Sequence, residues 1–325
     1  MQLQVIISKE KGGKVMLETI NLNKSFKGKT AVQDVNVYLD NGESVGLLGP
    51  NGAGKSTTIS MMSTLIKPTS GEIKLNGVNT INKPEEIRRI LGVVPQELAL
   101  YHELSAYENL KFFGSIYKMK GKELEKKIQH VLEIVGLEDR QKDLVKTFSG
   151  GMKRRVNIAA ALLHQPKILI LDEPTVGIDP QSRNHILEMV RQLNEKEGTT
   201  ILYTSHYMEE VEQLCDRLYI MDHGEIIASG TKAELLSILS TEDTIKVELS
   251  KMEGNFIEQV KTIEGVRKVE ASHVQMKIIA KKGSNLIRDL VHLADQHHIQ
   301  MINFHTETPS LEDVFLHLTG RTLRD

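Results

Sequence analysis

The segment Gly49-Pro50-Asn51-Gly52-Ala53-Gly54-Lys55-Ser56-Thr57 fits the spacing GxxxxGK[ST] at every specified position. Glycines free the backbone to turn so that successive N–H groups converge on phosphate oxygens, and a helix starting at the end of the segment adds its partial positive charge. A lysine in the place of Lys55 holds β- and γ-phosphates, and a hydroxyl in the place of Ser56 ligates Mg²⁺. Gly49, Asn51, Gly52, Ala53, Gly54, Lys55, Ser56 and Thr57 are therefore the candidate phosphate cradle. A second constellation, Ile168-Leu169-Ile170-Leu171-Asp172-Glu173, puts two carboxylates at the end of an apolar run. Asp172 can face the metal from there, and Glu173 can orient or deprotonate the water that attacks a γ-phosphate. Alone, such acids could simply cap a strand. Beside a phosphate loop they point to hydrolysis.

Both constellations need strands behind them. The run 44–48 precedes the phosphate loop and the helix-like run 58–65 follows it, which gives the strand, loop, helix context the motif requires. The run 168–171 is apolar throughout, like a parallel strand buried on both faces, and is expected at the centre of a sheet. After it, helix 183–197, strand 199–204, helix 208–215 and strand 217–222 predict an α/β layer architecture. From Leu17 to about Ile90 the pattern is mostly β, punctuated by the turn signals Lys27-Gly28-Lys29, Asn41-Gly42 and Asn76-Gly77. A helical region follows between Leu104 and about Val135, opened by a Ser105/Glu108 capping box. Beyond about Ser240 the order strand 245–249, helix 255–263, strand 266–271, strand 274–280, helix 285–296, strand 299–305 predicts a βαββαβ, ferredoxin-like domain. A last helix, 311–318, carries a cap at Ser310 and Asp313.

A chain of 325 residues predicts two domains. Lys and Arg total 41 against 43 Asp and Glu, so there is no basic excess and no support for nucleic acid as a partner. The single cysteine, Cys215, can form neither an intramolecular disulfide nor a zinc spacing, which fits a reducing compartment. No run reaches the roughly 18 apolar residues of a membrane-spanning helix, and the first residues lack the pattern of a secretory signal.

Between the two constellations lies Phe148-Ser149-Gly150-Gly151-Met152-Lys153-Arg154-Arg155. Ser149 could simply cap a helix there. At this place the chain resembles the ATP-binding cassette (ABC) ATPases, whose signature is Leu-Ser-Gly-Gly-Gln. It departs at Phe148 and Met152 and keeps the serine and both glycines. The resemblance implies that Ser149, Gly150 and Gly151 form a second anion site, closing on ATP held by the phosphate loop of a partner cassette. It also implies roles for Gln96 as the glutamine that senses Mg²⁺ and the attacking water, for Asp179 in the loop crossing between cassettes, and for His206 as the γ-phosphate switch. Phe26 stands where the family places an aromatic that stacks on adenine. In the implied site Glu173, His206, Gln96 and Lys55 serve catalysis, Ser56, Gln96 and Asp172 serve the metal, and ATP and Mg²⁺ are the bound species. The implied fold is a P-loop cassette (β subdomain, mainly parallel core sheet, helical subdomain) over residues 16–238, with a small α+β domain over 239–325.

The tail Pro309-Ser310-Leu311-Glu312-Asp313-Val314-Phe315-Leu316-His317-Leu318-Thr319-Gly320-Arg321 resembles that of exporter ATPases of the drug-resistance and sodium-extrusion type. This implies an ATPase that powers export of a small molecule, drug, ion or lipid-like substrate. The implied partners are a permease on another chain and a second copy of the cassette, and the implied location is peripheral, at the cytoplasmic face of the cell membrane. An importer ATPase and a soluble ABC ATPase are the alternatives. Tyr101, Tyr107, Phe112, Phe113 and Tyr117 could fill the core of the helical region or form a groove for a short helix of the permease. His273, His292, His297, His298, His305 and His317 are expected to be solvated rather than to bind metal. Residues 1–15 match nothing in the family, and Gly12-Gly13 can be encoded as a ribosome-binding sequence, so translation is expected to start at Met16.

Overall fold

The computed structural model describes residues 5–6, 15–239, 242–281, 284, 286–307 and 310–320. Most of residues 1–14, on which the expected start at Met16 bears, lie outside this set. The chain divides into two compact units between Lys232 and Ala233, against the 238/239 division drawn from the sequence.

The first unit opens with β1 (Val5–Ile6), β2 (Val15–Phe26), β3 (Lys29–Val35), β4 (Tyr38–Asp40) and β5 (Ser44–Leu48), followed by α1 (Lys55–Met62). Next come β6 (Ser70–Leu75), β7 (Val78–Asn79), α2 (Pro84–Arg88) and β8 (Leu91–Val94). Lys27-Gly28 and Asn76-Gly77 both hold two successive positive φ angles, the geometry of two-residue hairpin turns that match the twist of the strands they join. The helical region contains α3 (Ala106–Ile116), α4 (Gly121–Val135) and α5 (Gly150–Leu162). The unit closes with β9 (Ile168–Asp172), α6 (Pro180–Glu197), β10 (Thr200–Ser205), α7 (Met208–Leu214), β11 (Arg217–Asp222) and β12 (Glu225–Gly230). Helix α6 begins earlier than position 183 because Asp179 caps it and Pro180 occupies its first turn.

The strand order β1-β12-β11-β5-β10-β9-β8 corrects one expectation. The centre of the large sheet is β5, the strand that leads into the phosphate loop, and β9 lies next to the edge strand β8. The apolar run of β9 reports burial on both faces, which a parallel strand has wherever helices cover it, and not its place in the order. Strands β5, β8, β9, β10 and β11 run parallel. An antiparallel sheet, β3-β2-β6-β7 with β4 on β2, forms the second layer. Ile59, Met61 and Met62 of α1 share one core with Leu17, Leu22 and Ile73 of the antiparallel sheet and Val45, Leu47, Ile170 and Leu202 of the parallel sheet. At about 1.5–3 kcal/mol for each fully buried large apolar side chain, this shared core fixes α1 against both layers. On the other face of β5, α7 packs so closely that a Cβ on Gly46 would lie 2.2 Å from Val211.

Helix α4 buries Leu124, Ile128, Val131, Leu132 and Val135, an apolar stripe of helical period, and stops at left-handed Gly136. The expected capping box is present at the start of α3: Ser105 Oγ accepts from Glu108 N, and Glu108 Oε2 accepts from Ser105 N.

The second unit comprises most of α8 (Lys232–Ser237), then β13 (Glu242–Leu249), α9 (Gly254–Thr262), β14 (Val266–Ser272), β15 (Gln275–Lys281), α10 (Leu286–Gln296), β16 (Met301–Glu307) and α11 (Leu311–Thr319). Its antiparallel sheet has the order β14-β15-β13-β16. That is the βαββαβ arrangement read from the sequence. Alternate residues of β13 (Ile245, Val247, Leu249) and β15 (Met276, Ile278, Ala280) meet Phe256 and Val260 of α9 and Leu286, Leu290 and Ala294 of α10. Ser310 and Asp313 form the expected capping box at α11. Among the described residues no helix is long and apolar enough to cross a membrane.

Candidate nucleotide site

The phosphate loop leaves the end of β5 through Gly49, where a Cβ would sit 2.3 Å from Met221 O at the end of β11. Only glycine passes there. Gly52 (φ +82°) and Gly54 (φ +108°) turn the chain into α1. No side chain caps this helix, so its first N–H groups are left to an acceptor from outside, the arrangement that suits phosphate oxygens. Lys55 is buried, its Nζ donating to Gly49 O at 2.7 Å and Pro50 O at 3.2 Å. The same nitrogen lies 3.2 Å from Glu173 Oε1. A buried ammonium, free helix amides and the oxygen donors Ser56, Asp172 and Gln96 are the groups MgATP would require, since Mg²⁺ prefers hard oxygen ligands. Among the described residues no group of three or more His, Cys, Asp or Glu could hold a metal by itself, the C-terminal histidines included. A metal bound largely by nucleotide oxygens needs no such group.

The carboxylates are set by the parallel register of β9 and β10, which places Thr204 beside Asp172. Thr204 Oγ1 donates to Asp172 Oδ1 at 2.8 Å and accepts from Glu173 N at 2.9 Å. Glu173 has φ +46°, a left-handed conformation costing about 1–3 kcal/mol in a residue with a Cβ, and the turn aims its buried side chain back at Lys55. His206 Nδ1 lies 3.2 Å from Glu173 Oε2. Lys55, Glu173 and His206 therefore form a continuous chain of contacts.

Behind that chain lies a residue that sequence reasoning missed. The buried side chain of Glu210 on α7 accepts from Thr175 Oγ1 (2.7 and 2.8 Å), Tyr203 OH (3.0 Å) and Ser205 Oγ (2.8 Å), and lies 3.5 Å from Arg183 Nε. Ser205 Oγ in turn accepts from Tyr207 N at 2.9 Å. One carboxylate thus joins the segment after Glu173, the turn that carries His206 and the first turn of α6. Its only sequence signal is its place one helical turn after His206.

Ser149 caps α5, accepting from Met152 N at 3.2 Å. Gly151 packs against the start of α6, where a Cβ would lie 2.3 Å from Ser182 Oγ. Asp179 accepts from Ser182 N at 2.9 Å, and hydrogen bonding to Ser182 holds its carboxyl below the usual range. The Ser149 and Asp179 segments are therefore neighbours within one chain. Phe26 is 48% exposed at the end of β2, with Lys24 Nζ 5.1 Å from its ring centroid. The side chain of Gln96 is exposed, whereas its carbonyl accepts from Arg154 Nη2 at 2.6 Å.

The aromatic cluster is not a core. Tyr101, Phe112, Ile116 and Tyr117 are 51%, 39%, 60% and 42% exposed, and Tyr107 and Phe113 are half-buried. Tyr101 and Phe112 meet edge to face at 4.9 Å, and Tyr117 stacks on His164 at 4.2 Å.

A phosphate loop on the central strand β5, two carboxylates at the end of β9, two strands away, and a Ser-Gly-Gly helix start define an ATP-binding cassette, and the chain belongs to the ABC transporter family. A family model described as ABC transporter matches residues 32–176. The linearmycin resistance ATP-binding protein LnrL of Bacillus subtilis is 49% identical over 312 residues, covering 95% of this chain and 100% of the relative. The daunorubicin/doxorubicin resistance ATP-binding protein DrrA of Streptomyces peucetius is 35% identical, covering 95% of this chain and 94% of the relative. Among solved structures, cbiO1 from Clostridium perfringens aligns with a TM-score of 0.64 at 30% identity, covering 69% of this chain and 91% of its own. The dimeric cassette MJ0796 bound to ADP and Pi aligns with a TM-score of 0.61 at 30% identity, covering 66% and 98%. The chain is an ATP-binding, ATP-hydrolysing subunit of the exporter type, which powers a separate permease.

Proposed function

We propose that two copies of this chain bind two MgATP, each between the phosphate loop of one copy and the Ser149–Gly151 segment of the other, and that closure drives a permease that expels a drug-like molecule. The observation that carries this reading is the contact chain from the buried Lys55 and Glu173 to the half-buried His206. Bound Mg²⁺ would supply charge neutralisation on the phosphate oxygens, held by Ser56 and Asp172 with Gln96 beside it. Lys55 holds the terminal phosphates. Glu173 takes a proton from the attacking water, its position fixed by Thr204 and by the left-handed turn. His206 orients Glu173 and contacts the γ-phosphate, Phe26 stacks on the base, and Asp179 lies at the crossing between copies.

The exposed aromatic patch that begins just beyond Gln96 suits a short amphipathic helix of the permease, which would hold the subunit peripherally at the cytoplasmic face of the membrane. Similarity to LnrL over nearly the whole chain makes linearmycin the first cargo to test, by comparing the sensitivity of cells with and without the gene. For the site, Glu173→Gln is expected to bind ATP, lose hydrolysis by about 100-fold or more and accumulate as a closed dimer in size-exclusion chromatography. Near-normal turnover would refute the assignment of Glu173 as the base.

A further inference from the structure

We propose that Arg154 is a positioning residue that fastens the Gln96 loop to α5, so that this loop and the Ser149 segment at the head of α5 shift as one piece when nucleotide binds. Between the end of β8 at Val94 and the start of α3 at Ala106 the chain has no regular structure, and its backbone groups need partners from elsewhere. Arg154 supplies two of them. It is 4% exposed, and its guanidinium fork donates from Nη1 to Pro95 O at 2.7 Å and from Nη2 to Gln96 O at 2.6 Å. One turn further along α5, Asn157 Oδ1 accepts from Ala99 N at 3.3 Å. Asn109 of α3, fully buried, takes the far end, accepting from Tyr101 N at 2.8 Å and donating to Tyr101 O at 2.9 Å.

A rigid planar fork on two successive carbonyls fixes both position and orientation of the loop, which a lysine or an apolar residue cannot do. Packing alone does not require a charge here. Burying a guanidinium costs desolvation, and its Nε has no hydrogen-bond partner among the described residues, so an apolar side chain would fill the space more cheaply. Resting on the function proposed above, the consequence reaches across the dimer. Gln96 serves the ATP of its own copy, whereas Ser149 serves the ATP of the other. Arg154 then ties the glutamine of one site to the serine of the second.

The test is hydrogen–deuterium exchange of the full-length chain in the Glu173→Gln background, with and without MgATP, read over residues 95–101 and 148–155. The parent is expected to slow exchange in both segments on adding MgATP. Arg154→Met is expected to keep the slowing at 148–155 and lose at least tenfold of it at 95–101, while with Glu173 restored kcat falls about tenfold and KM stays within twofold. Arg154→Lys, which keeps the charge but engages one carbonyl at a time, is expected to fall between them, and it decides the matter if the Met variant does not fold. Nucleotide-linked protection at 95–101 equal to the parent's, in either folded variant, overturns the role of Arg154. Absence of any MgATP effect on either segment in the parent overturns the dimer reading, and this proposal with it.

Discussion

Replacing Glu210 with Ala should be the most damaging single change away from the residues that would touch nucleotide. The substitution removes the acceptor for three buried hydroxyls, Thr175, Tyr203 and Ser205, and the anion beside Arg183. Each hydrogen bond to a charged acceptor contributes about 1.5–3 kcal/mol, but the hydroxyls partly re-pair with one another, Thr175 Oγ1 and Tyr203 OH being already 3.5 Å apart. A buried charge network broken by loss of one partner typically costs about 3–5 kcal/mol, and this is the range expected here. With a guanidinium dependence of about 4–6 kcal/mol per molar for a domain of this size, the cassette's unfolding midpoint should fall by about 0.5–1.2 M. Circular dichroism can follow it, since the chain has no tryptophan to report by fluorescence. Glu210→Gln keeps the volume and one acceptor oxygen and should lose about 1–2 kcal/mol. Because Ser205 and Thr175 flank the turns carrying His206 and Glu173, both variants should also lose ATPase activity under conditions where they remain folded. An Ala variant within about 0.5 kcal/mol of the parent would show that the network does not support the fold.

Three further outcomes follow from named contacts. Gly151→Ala should cost about 1–3 kcal/mol and most of the ATPase activity, because its Cβ would overlap Ser182, and the double variant Gly151→Ala/Ser182→Gly should recover part of both. Restoration of neither in a folded double variant would exclude that overlap as the cause. Cys215 is only half-buried as a residue, but loss of water around its sulfur, chiefly, pushes the thiol up to about 12, so at pH 8 the native protein should react with a thiol reagent far more slowly than the unfolded chain; equal rates would refute this. Burial, chiefly, pushes His164 below its usual range. As pH falls through about 6.5 the unfolded chain takes up a proton that the folded one refuses, so His164 should subtract stability there, until the folded pKa is also passed. Substituting His164 with Gln should flatten that loss in a melting series between pH 7.5 and 5.5, and an unchanged slope would rule His164 out.

The phosphate loop and the Asp172-Glu173 pair were legible because their chemistry is local: adjacent residues, fixed spacing, one strand behind each. Ser149 and Ser310 were legible as caps for the same reason, whereas Asp179 was read only through the resemblance, as the crossing between cassettes, and not as the cap of α6. Glu210 and Arg154 were not, because each works on groups far away in the chain, hydroxyls in one case and backbone carbonyls in the other, and no spacing announces such a partnership. The place of β9 in the sheet was misread because hydrophobic periodicity measures how many faces of a strand are covered, whereas order depends on which strands pair. The aromatic residues of α3 could not be assigned to core or surface from composition, since either environment accepts them. In the second unit the elements from β13 to α11 were legible, because alternation in β13 and β15 and four-residue spacing in α9 and α10 point to one interior, whereas α8 was not read from the sequence.

The register of the parallel strands makes the reactive geometry a proofreader of folding. Lys55 depends on where β5 ends, Glu173 on where β9 ends and His206 on where β10 ends, and Leu48 pairs with Ser205 while Asp172 pairs with Thr204. A slip of one residue between two of these strands would move one of these three side chains by about 3.3 Å and turn its neighbours to the opposite face. Such a molecule would keep nearly all its secondary structure and bury almost as much apolar surface, yet the contact chain from Lys55 to His206 would be cut. Turnover therefore certifies correct strand pairing more stringently than any measure of helix and strand content.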